Sequence, residues 1–169
     1  LIMDFINSDA QSIASFLSEP VQVEEIYVYM QTNYGTSVTP FYTTLALWVG
    51  GIVLVALMKV KVDYEDDEFK DATEHQKYMG RALLFLAMGQ LQALVVVLGD
   101  LYILKIDCTH PFMLWLAAAI TSFVFTLFIY TLVLTFGDLG KAIAVVMIVL
   151  QIAGSGGTYP IELLPEFFQ

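Results

Sequence analysis

The chain has 169 residues, of which 58% are apolar and 14% charged, with a formal net charge of −10 and a mean hydropathy of +0.73. A soluble domain would carry about 25% charged residues, so the composition excludes an ordinary water-soluble fold. With only 7 Lys and Arg, no basic surface exists for nucleic acid.

The chain opens at Leu1 without a start methionine or a basic n-region with a cleavage site, and it reads as a piece of a longer protein. Over residues 1–18, Ile2, Phe5, Ile6, Ile13, Phe16 and Leu17 recur at helical spacing. This predicts an amphipathic helix or helix pair, with Asp9 as an N-cap and Pro20 as the stop. Val21, Val23, Ile26, Val28 and Met30 suggest a short extended stretch. Asn33-Tyr-Gly35 reads as a turn, and Pro40 delivers the chain into an apolar run. Residues 1–40 are therefore expected to be the membrane-proximal end of an extracytoplasmic domain.

Three runs reach or approach the length of about 20 apolar residues needed to cross a bilayer: about 41–60, 82–104 and 112–136. The expected fold is an all-α polytopic helical membrane bundle. Between the first two runs, Asp63, Glu65, Asp66, Asp67, Glu68, Asp71 and Glu74 make an acidic loop. It lacks the glycine and closing glutamate of a calcium-binding loop, and reads as solvated surface. A short helix from about Asp66 to Met79 would make it a docking element, with Glu68, Lys70, Glu74, Lys77 and Arg81 as contact residues.

Polar residues within the runs are few. Gln90, Gln92 and Gln151 read as links between helices. An ionisable residue in a span is a functional hypothesis by default, but Asp100 sits near a helix end, where an interfacial anchor or an interhelical hydrogen bond outranks a proton relay. Cys108 stands in the loop Lys105-Ile-Asp-Cys-Thr-His-Pro111 and reads as an incidental thiol.

The last apolar run, 139–153, differs from the others. Its 15 or so residues cover roughly 22 Å at about 1.5 Å each, short of a bilayer core of roughly 30 Å. Gly154, Ser155, Gly156 and Gly157 then loosen the helix, and Pro160 and Pro165 limit how it resumes. Irregular backbone at membrane depth is tolerated where it is buried in protein or lines a wet cavity. Residues 154–168 are thus expected to form a re-entrant segment, with Gln151, Gly154, Ser155, Gly156, Gly157 and Pro160 along a translocation path.

Basic residues set the orientation. No Lys or Arg precedes Lys59, while Lys59, Lys61, Lys70, Lys77 and Arg81 flank one loop and Lys141 another. If every run crosses once, residues 61–80 and 137–141 lie in the cytoplasm, and residues 1–40 and 105–111 outside. No catalytic motif is present: Gly137-Asp-Leu-Gly-Lys141 has only part of a phosphate-loop spacing, and there is no HExxH or CxxC. No enzyme activity, cofactor or metal site is expected.

The segments Asn33-Tyr-Gly35, Pro40-Phe-Tyr42, Leu45-Ala-Leu-Trp-Val-Gly50, Leu91-Gln-Ala93, Gly99-Asp100, Gly140-Lys-Ala142 and the run Val149 to Pro165 with Phe167-Phe-Gln169 resemble, in order and spacing, the C-terminal membrane region of the phage infection protein family (YhgE/Pip). The resemblance covers nearly the whole chain. It implies a bundle like that of type-2 ABC-transporter permeases, in the plasma membrane of mainly Gram-positive bacteria. The parent would carry an N-terminal span, a large external domain and about five C-terminal spans, four of them here. It further implies an export or secretion subunit driven by a separate ATPase, with residues 61–80 at the ATPase docking place and 154–168 at the external re-entrant hairpin. Partners implied are the lipid bilayer, the ATPase in trans, a second copy in a homodimer, and phage or type VII secretion proteins. The alternative is a receptor or scaffold whose bundle only anchors the external domain.

Overall fold

The computed structural model describes residues 33–61, 72–157 and 166–167. The chain divides into a first unit, Leu1–Met30, and a second, Gln31–Gln169, and all described residues belong to the second. Those residues form four helices: α1 (Tyr34–Leu57), α2 (Glu74–Leu98, continued by a π-helical turn Gly99–Ile103), α3 (Pro111–Phe136) and α4 (Asp138–Gly154). No strand occurs among them. The readings made on residues 1–30 lie outside the described residues.

Each helix starts on a local signal. The Asn33 side chain accepts a hydrogen bond from the Thr36 amide at 2.8 Å, so α1 begins at Tyr34 and not at about 41. Asn33-Tyr-Gly35 is a helix start, not a turn, and residues 34–40, assigned to the external segment, are the first two turns of α1. Pro40 lies inside the helix; there it removes a single backbone bond close to the exposed N-terminus, which the remaining ladder tolerates. At α2, Thr73 and Gln76 form a capping box: the Gln76 amide donates to Thr73 Oγ1 at 3.3 Å, and the Thr73 amide donates to Gln76 Oε1 at 2.9 Å. That box starts α2 eight residues before the expected boundary at 82. α3 opens on Pro111, a residue preorganised for the first helical position. Gly137, with φ 62°, turns the chain directly from α3 into α4.

Three helical segments, Tyr34–Leu57, Glu74–Ile103 and Pro111–Phe136, are long and apolar enough to cross a membrane. Of their most apolar windows only 28%, 28% and 22% is buried, so most of their apolar surface faces outward. Leu83, Leu91, Val95, Ile120, Phe123 and Val146 are among the exposed side chains. A water-soluble bundle would turn such residues inward; this distribution suits a surrounding of lipid. α4, at 17 residues, is about 25 Å long.

α3 packs against each of the other three helices, and α1 does likewise; α2 and α4 flank this central pair. Trp48, Phe85, Ile129, Tyr130, Ala144 and Ile148 form the larger buried cluster. Leu47, Ala93, Val97 and Ala118 form the smaller one. Trp48 of α1 meets Phe125 of α3 edge-on at 4.8 Å between ring centres, and its indole Nε1 donates to the Ala144 carbonyl of α4 at 3.1 Å. One side chain thereby joins three helices.

Close approach depends on glycine at the α2–α3 crossing. A Cβ on Gly89 would stand 2.5 Å from Thr126 Oγ1 and 3.2 Å from Ser122 Oγ, while Ser122 Oγ donates to the Gly89 carbonyl at 2.7 Å. Gly89→Leu is expected to force the two helices apart, at a cost of about 1–3 kcal/mol. Gly80→Ala, where nothing lies within 4 Å, is expected to leave stability unchanged or raise it by up to about 1 kcal/mol. Thermal unfolding of the two variants in detergent checks the contrast.

Candidate functional site

The basic residues gather at one end. Arg81, at the start of the third turn of α2, donates from Nε to the Lys59 carbonyl at 2.8 Å, and its terminal nitrogen reaches the same oxygen. Lys59, Lys61 and Lys141 line a common cavity there, and Lys77 lies one turn before Arg81 on α2. Lys105 is at the opposite end, in the loop whose Asp107 amide donates to Thr36 Oγ1 near the start of α1, at 3.1 Å. Among the described lysines and arginines, Lys105 thus stands apart from the other five.

Of the expected docking residues, Glu74, Lys77 and Arg81 stand within the first eight residues of α2, with Lys77 and Glu74 paired at 3.0 Å. The short surface helix predicted over 66–79 is, from Glu74 on, the beginning of the long apolar helix itself. Glu68 and Lys70 lie outside the described residues.

At the opposite end, the C-terminus of α4 faces the N-terminal half of α1 across a cavity of about 370 Å³. Gln151, Ser155 and Gly157 line one wall, and Ser37, Phe41 and Thr44 are on the other. Three of the residues expected along a path therefore share one cavity. Gly154 closes the helix, and Gly156, with φ 67°, reverses the backbone between Ser155 and Gly157. Gly157 stands against the Phe41 ring, where an added Cβ would come within 2.4 Å of the ring edge. The re-entrant reading of 154–168 and the place of Pro160 fall mainly outside the described residues.

Polar residues within the apolar helices join one helix to another. Gln92 Nε2 donates to the Ala46 carbonyl of α1 at 3.1 Å, and Gln90 Nε2 to the Ala119 carbonyl of α3 at 3.0 Å. Asp100 is 7% exposed, in the π-helical turn, and its Oδ2 accepts from Thr43 Oγ1 at 2.6 Å. A helix-end aspartate open to water was one sequence reading; the structure shows the other, a buried interhelical hydrogen bond. Asp100 stands three residues beyond the buried Val97 and seven beyond the buried Ala93, so helical spacing puts it on the packed face of α2, where Thr43 of α1 meets it. Thr43 was missed because a threonine in an apolar run carries no partner in its own sequence. Cys108 is a free, half-buried thiol, and no group of acidic, histidine or cysteine residues able to hold a metal occurs among the described residues.

No protein-family model matches the chain, and no solved structure matches it. The chain is 30% identical over 164 residues to an uncharacterized protein, YhgE, of Bacillus subtilis (strain 168); the match takes in 97% of this chain and 20% of that protein. This chain is related to YhgE. The similarity supports a relation to the family that the motifs resemble, and together with three apolar helices of spanning length it suggests a membrane protein. The chain spans about a fifth of the curated relative it matches, 20% of its length.

Removing the Thr43 hydroxyl leaves a buried carboxylate oxygen without its donor. Thr43→Val is expected to lower stability by about 1–2 kcal/mol. Asp100→Asn, which keeps an acceptor oxygen, is expected to cost less. Paired melting curves in detergent, with Thr44→Val as an exposed control, read the difference.

Proposed function

We propose that this chain is the C-terminal part of a multi-pass plasma-membrane protein related to type-2 ABC-transporter permeases, and that it serves an export or secretion machine driven by a separate ATPase. The observation that carries the reading is the cavity at the broken end of α4. A 17-residue helix stops short of a bilayer core of roughly 30 Å, and its break exposes polar groups, Gln151 and Ser155, to a space walled by Phe41, Leu45 and Ile152. An anchor has no need of such a defect; a passage for an amphipathic substrate does.

The other support is mechanical. Glu74, Lys77 and Arg81 belong to the same unbroken helix as the span beyond them. A partner seated on that first turn would therefore move α2 as a rod, and with it the α1 end held by Arg81 through the Lys59 carbonyl. In this topology the basic end is cytoplasmic, as the distribution of Lys and Arg favours, and the α4 break lies outside. The ATPase, the cargo and any second copy act in trans.

Photo-crosslinking in cells tests the reading, with probes at Glu74, Lys77 and Tyr78 of the full-length protein and products identified by mass spectrometry. Capture of a nucleotide-binding ATPase is the expected result. Probes that react with cytoplasmic reagents yet capture none would favour a receptor or scaffold role. Gly156→Leu, forced into a left-handed backbone, is expected to stop export while the protein still inserts; unchanged export would remove the cavity from the path.

A further inference from the structure

The basic end holds a second cavity, of about 470 Å³, between the ends of α1 and α3 and the start of α4. Its wall is of two kinds. Val55, Leu57, Met58, Val60 and Val133 supply apolar surface, and Lys59, Lys61 and Lys141 supply three ammonium groups. Among the described residues, Asp138 is the acid on the wall. It pairs with Lys141 at 3.0 Å, but the Asp138 side chain is 96% exposed, and so open a pair contributes little and exchanges readily. Gly137 and Asp138 place the first turn of α4 at the same wall, with its unpaired amides and positive dipole end.

We propose that this cavity seats the phosphate headgroup of an anionic phospholipid, with Lys61 and Lys141 as its charge partners and the α1 side chains against its upper acyl segments. The inference rests on the reading that α1, α2 and α3 span a bilayer, because the cavity then lies at headgroup depth. Basic pockets between helices at the cytoplasmic face are the usual form of such sites. The apolar share of the wall selects a lipid over a soluble anion: inorganic phosphate would leave the exposed Leu57 and the half-buried Met58 without a ligand to cover them. Arg81 contributes indirectly, by holding the Lys59 backbone at the cavity rim.

The test uses the full-length protein, purified in mild detergent. Its melting temperature and native mass spectrum are recorded while phosphatidylglycerol, phosphatidylcholine or inorganic phosphate is added. The expected result is selective retention of phosphatidylglycerol, weakened about fivefold by Lys61→Gln or Lys141→Gln and about 25-fold by both, at about one charge interaction per lysine. Equal retention of the two lipids overturns the proposal, as does wild-type retention by the double variant. Displacement of phosphatidylglycerol by millimolar phosphate overturns the lipid as occupant. Alkaline carbonate extraction of membranes separates the two failures. A chain released by carbonate overturns the spanning reading and this inference with it; a chain retained but without lipid selectivity overturns this inference alone.

Discussion

Close contact with α3 is the constraint on which the rest of the bundle depends. In lipid, the outward faces of helices gain nothing by hiding from solvent, and association rests on tight packing and on hydrogen bonds between helices. α3 is apolar on every side, and each neighbour brings a glycine to it. Gly89 of α2 lies against Ser122 and Thr126, Gly51 of α1 against Ile129, and Gly140 of α4 against the Leu132 and Val133 backbone. Side chains at those three points would push all three partners outward together. With them absent, Ser122, Trp48 and Gln90 come within reach of carbonyls on neighbouring helices.

From that packing the two ends acquire different chemistry. At the basic end, Arg81 fixes α1 to α2 through the Lys59 carbonyl, and Gly137 hands α3 directly to α4. The ends of α1 and α3 and the start of α4 there line a lysine-bearing cavity. At the other end, α1 is tied to α2 by Thr43 on Asp100 and to the following loop by the Asp107 amide on Thr36, while α4 stops and leaves a space beside Phe41. A bundle fixed on one flank and open on the other can change its opening without dissolving its core. That asymmetry gives the permease-like proposal its physical content.

The existence of α1, α2 and α3 was legible because about 20 consecutive apolar residues have few other fates. Their starts were less so. Asn33 and Thr73 each cap a helix with a short polar side chain, and the Thr73-x-x-Gln76 pattern is visible in the sequence. Hydropathy alone moved both boundaries inward, because Tyr34, Gly35, Glu74 and Gln76 weaken the apolar run without weakening the helix. Pro40 misled in the same direction; one proline near a helix start removes a bond that the end can spare. The candidate site was half legible. The glycine-rich break after Ala153 announced itself, but Phe41 and Thr44, which complete its cavity, sit more than a hundred positions away.

The sequence by itself determined the all-helical, apolar class of the described residues, their three long apolar helices and the shortness of α4. Each follows from composition and local spacing, which need no knowledge of neighbours. Only the tertiary structure decided that Asp100 is buried on Thr43, that Gln92 and Trp48 bond to carbonyls of other helices, and that Lys59, Lys61 and Lys141 share one cavity. Those facts depend on how the helices are rotated about their axes. In a chain whose spans are apolar all round, no amphipathic stripe specifies that rotation; it is settled where glycines allow contact and polar side chains find an acceptor across it.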